Sequence, residues 1–149
     1  MVKNSLRETG NVLMLDFTKI KKVAKTSRRN VMRVTIQDAD TLGVLIEGYI
    51  NKEAFYASLR DDLATMWSTT RNILWQKGKT SGDQLVLVDV FVNCEQDSLL
   101  FKVRPKAGGA CHVKDANGKT YKTCYFRRIV AREDGLGLEV DKEAMQKMA

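Results

Sequence analysis

Three cysteines and a single histidine, Cys94, Cys111, Cys124 and His112, are the residues of this sequence best suited to metal and proton chemistry. Thiolate is a soft ligand that suits zinc. Three thiolates on a tetrahedral ion leave the fourth position for water, which is the open arrangement of a catalytic centre. Such an ion brings the pKa of bound water to about 7, and His112, beside one candidate ligand, is placed to move protons. The spacing matches no zinc-ribbon pattern, so a structural zinc or three unrelated buried thiols satisfies it as well. Around Cys94 lies Asn93-Cys94-Glu95-Gln96-Asp97. In an extended chain alternate residues share a face, so Asn93, Glu95 and Asp97 would offer oxygens to one side and Cys94 its sulfur to the other. Hard oxygens suit magnesium. Spacing alone favours a simpler account, a turn with solvated carboxylates and a buried cysteine.

The elements that must position these residues read as one α+β domain with a mostly antiparallel sheet and one covering helix. Val31–Gln37 alternates, with Met32, Val34 and Ile36 on one face, and Val44–Ile50 returns after the turn Asp38–Gly43. Asn51 caps a helix expected to run to about Leu63. Thr65–Thr70 and Ile73–Gln76 are short strands joined through Arg71-Asn72, followed by a polar loop, Lys77–Gly82. Leu85–Cys94 alternates strictly, with Val86, Val88, Val90, Val92 and Cys94 on one face. Ser98–Val103 follows, Pro105 and Gly108-Gly109 break the pattern, and Tyr121–Ala131 is expected as a last strand before a short helix capped by Asp141. Weak helical spacing covers Leu13–Asn30.

Charge is concentrated. Of 25 basic residues seven, Lys19, Lys21, Lys22, Lys25, Arg28, Arg29 and Arg33, fall in the segment 19–33 with no acidic residue among them, and the other 18 match 18 acidic ones. A run of this kind attracts polyanions or forms a solvated basic face. No aromatic RNA-binding motif, helix-turn-helix pattern or heptad run accompanies it, which weighs against nucleic acid as partner. A chain of 149 residues fits one domain, read as 34–149 with the basic segment 1–33 as part of it or appended to it. No run of about 18 apolar residues is present to cross a membrane, and the charged start MVKNSLRETG lacks an export signal, so a cytoplasmic protein is expected.

Several blocks occur in a telling order: Gln37–Thr41, Gly48–Ala54, the long stretch Trp67–Gly82, Asn93–Asp97, Gly109–His112 and Cys124–Arg127. Together they resemble the phosphoribosyl-AMP cyclohydrolase family of histidine biosynthesis over roughly residues 34 to 128. The resemblance implies an intertwined homodimer with sites shared between subunits. It implies one zinc per subunit held by Cys94, Cys111 and Cys124, and magnesium held by Asn93, Glu95 and Asp97. The implied substrate is N1-(5-phosphoribosyl)-AMP, a phosphorylated purine opened at the N1–C6 bond by zinc-bound hydroxide with His112 transferring the proton. Its two phosphates call for donors, which Arg71, Lys77, Lys79, Thr80, Ser81 and Gly82 can supply. Trp67 and Trp75 offer ring faces to the purine or pack in the core.

Three departures stand against the family pattern. Its acidic triplet reads Asp-Cys-Asp-x-Asp, whereas Asn93 and Glu95 replace two aspartates here. Twelve residues separate Cys111 from Cys124, a longer interval than the family's, with an insertion at about 114–121 that reads as a loop or hairpin tip. The basic segment is also additional. These departures support two other readings: a divergent relative that acts on another phosphorylated purine or serves as an inactive binding module, and a zinc-stabilised nucleic-acid binder.

Overall fold

The computed structural model describes residues 5–146; residues 1–4, where the charged amino terminus begins, and residues 147–149 lie outside the described residues. Two short helices lead the chain, α1 (Leu6–Thr9) and α2 (Lys19–Thr26). The helix expected over Leu13–Asn30 contracts to α2 because only Val23 is buried there, Ile20 being 64% exposed, and without an apolar stripe little holds a longer helix.

Alternation then builds the central sheet. In β1 (Met32–Asp38) Val34 and Ile36 are fully buried while Arg33 faces out, and β2 (Val44–Ile50) returns antiparallel with Ile36 opposite Ile46. Asp38 Oδ1 holds the turn by accepting the N–H groups of Asp40 and Thr41 at 2.8 and 3.0 Å. The side chain of Asn51 accepts from Ala54 N–H at 2.8 Å, so the cap forms as expected, and α3 (Lys52–Asp61) ends at Asp62 in the left-handed region. Its inner face sets Ala54, Ala57 and Ser58 against the sheet, where Ser58 Oγ accepts from Thr65 N–H at 2.9 Å.

The remaining strands are β3 (Thr65–Ser68) and β4 (Ile73–Gln76), which pair as a hairpin, and β5 (Leu85–Val92) and β6 (Ser98–Pro105), which extend the main sheet. That sheet has the order β2-β1-β6-β5, antiparallel except for β1 and β6, which lie parallel with Ile36 beside Phe101. The β5–β6 register shifts between Leu87 and Asp89. A bulge of this kind reverses the face of everything after it. Leu85 and Leu87 before the bulge and Val90 after it therefore pack on the core while Val86 and Val88 are exposed on the other face, so the single valine face expected from alternation is split. Val92 shares the face of Val90 but lies at the open end of the strand.

Where one last strand over Tyr121–Ala131 was expected, the chain makes a hairpin of β7 (Arg127–Arg132) and β8 (Gly135–Val140). Tyr121 to Phe126 stays irregular because its backbone groups pair elsewhere: Tyr121 O accepts from Cys111 N–H at 3.1 Å, and Cys124 N–H donates to Leu45 O at 2.8 Å. A 3-10 turn, Lys142–Ala144, follows, capped by Asp141 Oδ1 accepting from Glu143 N–H at 3.1 Å. The fold is thus α+β with mostly antiparallel sheets, around a core that includes Val34, Ile36, Ile50, Met66, Phe101 and Val103. A second small cluster gathers Cys111, Val113, Tyr121, Phe126 and Ala144, with the Tyr121 and Phe126 rings stacked 4.0 Å apart. No helix among the described residues is long and apolar enough to cross a membrane.

Candidate metal and substrate site

Two of the three cysteines are brought together by a hairpin that the sequence separation conceals. Ala110 and Cys111 N–H donate to Lys122 and Tyr121 O at 3.2 and 3.1 Å, Tyr121 N–H donates to Val113 O at 3.0 Å, and Asp115 N–H donates to Lys119 O at 2.7 Å. At the tip Asp115 Oδ1 accepts from Asn117 and Lys119 N–H, so the insertion at 114–121 is a closed turn rather than a longer path between the thiols. Gly109 permits this approach, since a Cβ there would stand 2.1 Å from Tyr121 O. Cys124 is held from the other side by its N–H on Leu45 O and by Thr123 Oγ1, which donates to Val44 O at 2.8 Å.

The two sulfurs are hydrogen-bonded to each other. The bond from Cys124 lowers the Cys111 pKa to about 6 against the opposing effect of burial, helped by Val113 N–H, which donates to the Cys111 sulfur at 3.4 Å, and by the charges of His112 and Lys77. Cys124, exposed at its surface, moves the opposite way, raised chiefly by that same bond. The contact thus favours the deprotonated form at Cys111 and the protonated form at Cys124, and two adjoining sulfurs are a donor set suited to a soft divalent ion.

Lys77 sits in the same neighbourhood. Only 5% exposed, it has its pKa lowered by burial, and the charges of Asp83, Cys124 and Cys111 oppose that shift. The rest of the loop, Lys79, Thr80, Ser81 and Gly82, is exposed. Gly78 turns it at φ +79°, where a Cβ would lie 2.1 Å from the Asp83 carbonyl carbon. Asp83 was not singled out from the sequence, because a lone carboxylate after a polar loop carries no local signal. It lies against Gly108, where a Cβ would overlap its Oδ1, and so links the Lys77 loop to the Cys111 hairpin.

Other expected site residues lie elsewhere. Asn93 to Asp97 is not extended: it is the β5–β6 turn, with Gln96 at φ +57°. Asn93 Oδ1 accepts from Asp97 and Ser98 N–H at 2.9 Å each and its amide donates to Asp97 Oδ1 at 2.6 Å, so three oxygens on one strand face is not the arrangement. Cys94 is exposed on that turn, not buried as the simpler account supposed. Among the described residues no group of three His, Cys, Asp or Glu side chains is close enough to hold a metal. Arg71 stands at the tip of the β3–β4 hairpin, separated from Lys77 by the length of β4, about 13 Å at the rise of a strand. His112 is exposed beside Cys111, and its Nε2 contacts the Glu8 carboxylate of α1. Arg127 secures that end of α1 by donating to Gly10 O at 2.8 Å and Arg7 O at 2.9 Å. Trp67 is buried on β3, whereas Trp75 is 37% exposed.

Comparison with known proteins gives consistent relatives. A family model described as Phosphoribosyl-AMP cyclohydrolase matches residues 46–126. A phosphoribosyl-AMP cyclohydrolase of Desulforapulum autotrophicum is 39% identical over 103 residues, covering 69% of this chain and 78% of the relative. One from Chlorobium chlorochromatii is 34% identical over 90% of this chain and 85% of its own length. A histidine biosynthesis bifunctional protein of Thermus thermophilus is 36% identical over 75% of this chain and 49% of its own length.

Proposed function

The chain belongs to the phosphoribosyl-AMP cyclohydrolase family and is a hydrolase, and on that premise we propose that it opens the adenine ring of N1-(5-phosphoribosyl)-AMP at the N1–C6 bond, with zinc, in histidine biosynthesis. The observation that carries this reading is the Cys111–Cys124 pair, two hydrogen-bonded sulfurs brought together by the 109–123 hairpin beside a buried lysine. Two adjoining soft donors fit zinc and leave it needing further ligands. Cys94, exposed on the β5–β6 turn, is the third donor, supplied by a second copy of the chain. Zinc held there supplies the acidity that makes water nucleophilic near neutral pH.

The homodimer this requires has a surface to form on. Val86, Val88 and Phe91 on the outer face of β5 are exposed apolar residues, and Ile73, Leu74 and Trp75 on β4 are exposed apolar residues as well. Glu95 and Asp97 carry the carboxylates for magnesium. Asn93 is the weakest of that set, since its side-chain oxygen already accepts two backbone N–H groups.

The chain's own groups account for the proton and charge steps. Alkylation at N1 makes C6 electrophilic, so water adds to C6 and the N1–C6 bond breaks. His112 takes a proton from the attacking water and returns it to N1 as that bond opens, with Glu8 holding the ring from behind. Lys77 balances the thiolate, and the exposed donors of Lys79, Thr80, Ser81 and Gly82 take a phosphate of the substrate. A cytoplasmic location belongs to this reading, since a charged nucleotide substrate is held inside membranes.

A spectroscopic assay of ring opening tests this, run on the protein as isolated, after zinc chelation and after zinc is restored. Turnover that disappears on chelation and returns with about one zinc per chain is the expected result. Full turnover by metal-free protein, or none by zinc-replete protein, would overturn it.

A further inference from the structure

The amino-terminal segment meets the β3–β4 hairpin through Asn72. Its Oδ1 accepts from Arg28 N–H at 2.8 Å and its Nδ2 donates to Thr26 O at 3.0 Å, while its own N–H donates to Ser68 O at 2.7 Å. The docking gathers Arg28 and Arg29 from one segment and Thr70 and Arg71 from the other around a cavity of about 510 Å³, with Trp67 in its lining. The Arg29 guanidinium lies 5.9 Å from the Trp67 ring centre. Trp67, itself only 6% exposed, has a buried Nε1–H with no hydrogen-bond partner among the described residues.

The charge of this cavity is one-sided. No carboxylate lines it, and among the described residues none of the three arginines has an ion-pair partner. Three like charges around one cavity repel each other, whereas planar guanidinium groups match phosphate oxygens two at a time. The basic run is not a continuous track for a polyanion either: Lys22 is paired with Asp16 at 3.0 Å and Arg33 with Glu47 at 3.6 Å.

We propose that Arg28, Arg29 and Arg71, with Thr70, form a subsite for a phosphate monoester, one of the two phosphates of the nucleotide substrate. The assignment rests on the function proposed above. The Lys77–Gly82 loop, one strand length away, takes the other phosphate, so the purine lies between two cationic ends. The amino-terminal segment is then a substrate-binding element, which explains why basic residues concentrate there.

Calorimetric titration with inorganic phosphate, alongside steady-state kinetics, tests the subsite on the full chain. In an Arg28→Ala/Arg29→Ala protein, phosphate affinity falls at least tenfold and KM for N1-(5-phosphoribosyl)-AMP rises roughly 10- to 100-fold with a smaller change in kcat, as loss of charge-assisted hydrogen bonds predicts. Lys21→Ala, an exposed change on α2 outside the cavity, leaves both within about twofold. Arg28→Lys/Arg29→Lys restores part of the loss, and it carries the comparison if the alanine pair does not fold. Phosphate affinity and KM equal to wild type in the double variant would overturn the proposal. So would unchanged phosphate binding with lost retention on single-stranded RNA, which would mark a nucleic-acid surface. Phosphate binding is read without turnover, so wild-type protein that binds phosphate but leaves the ring closed refutes the function and not the subsite.

Discussion

Subunit complementation gives the sharpest test of how the metal centre is assembled. Cys94 stands exposed on the β5–β6 turn, while Cys111 and Cys124 are hydrogen-bonded to each other where the 109–123 hairpin meets β2. If a site takes Cys94 from one copy and the other two sulfurs from its partner, Cys94→Ser and Cys124→Ser are each inactive as homodimers. Mixed in equal amounts with free exchange, half the dimers are hybrids. In a hybrid one site receives Cys94 from the Cys124→Ser chain and an intact Cys111–Cys124 pair from the Cys94→Ser chain. The other site collects both substitutions and stays dead. Activity should therefore recover to about one quarter of wild type, with the expected symmetry of a twofold dimer. Native mass spectrometry of differently tagged chains verifies exchange, and ring opening and zinc content are then read on the same mixture. Recovery below roughly a tenth of that level after verified exchange, or wild-type turnover from Cys94→Ser alone, refutes the shared-site reasoning.

Further changes probe the parts that hold this arrangement. Gly109→Ala drives a Cβ against Tyr121 O and should lose zinc and turnover together, whereas Gly118→Ala, at φ +76° with open space around it, should cost only about 1 kcal/mol by thermal unfolding and keep zinc. Asn51→Ala removes the acceptor for Ala54 N–H and should destabilise by roughly 1 kcal/mol in denaturant titration, with Asn51→Asp nearly neutral. Phe101→Ala empties a fully buried core position and should cost about 3–5 kcal/mol by the same method, a loss below 1 kcal/mol contradicting the core described. Glu8→Ala frees the His112 ring and should lower kcat roughly tenfold with folding unchanged; an unaltered kcat would remove Glu8 from the site.

Local physics made much of this chain readable in advance. Alternation in β1, the turn that returns the chain in β2 and an asparagine cap before α3 are contests among neighbouring residues, and the structure agrees with each. The bulge at Val88 escaped the same reasoning because it is set by pairing with β6 rather than by β5 itself. For Asn93–Asp97 the spacing favours a turn, and a turn forms, closed on Asn93 where β5 and β6 pair; only the burial of Cys94 expected with it fails. The β7–β8 hairpin was hidden because residues 121 to 126 look strand-forming but give their backbone groups to Cys111 and Leu45.

Residue identities in order along the chain were sufficient for the family and its inventory of thiols, carboxylates and basic groups. Which of those groups meet was decided by the fold. Hydrogen bonds from distant segments bring Cys111 onto Cys124 across twelve residues, leave Cys94 out on a separate turn, and set Arg28 and Arg29 beside Arg71. A side chain's chemistry is a property of its type, but its neighbours depend on backbone pairing between segments that no local pattern encodes.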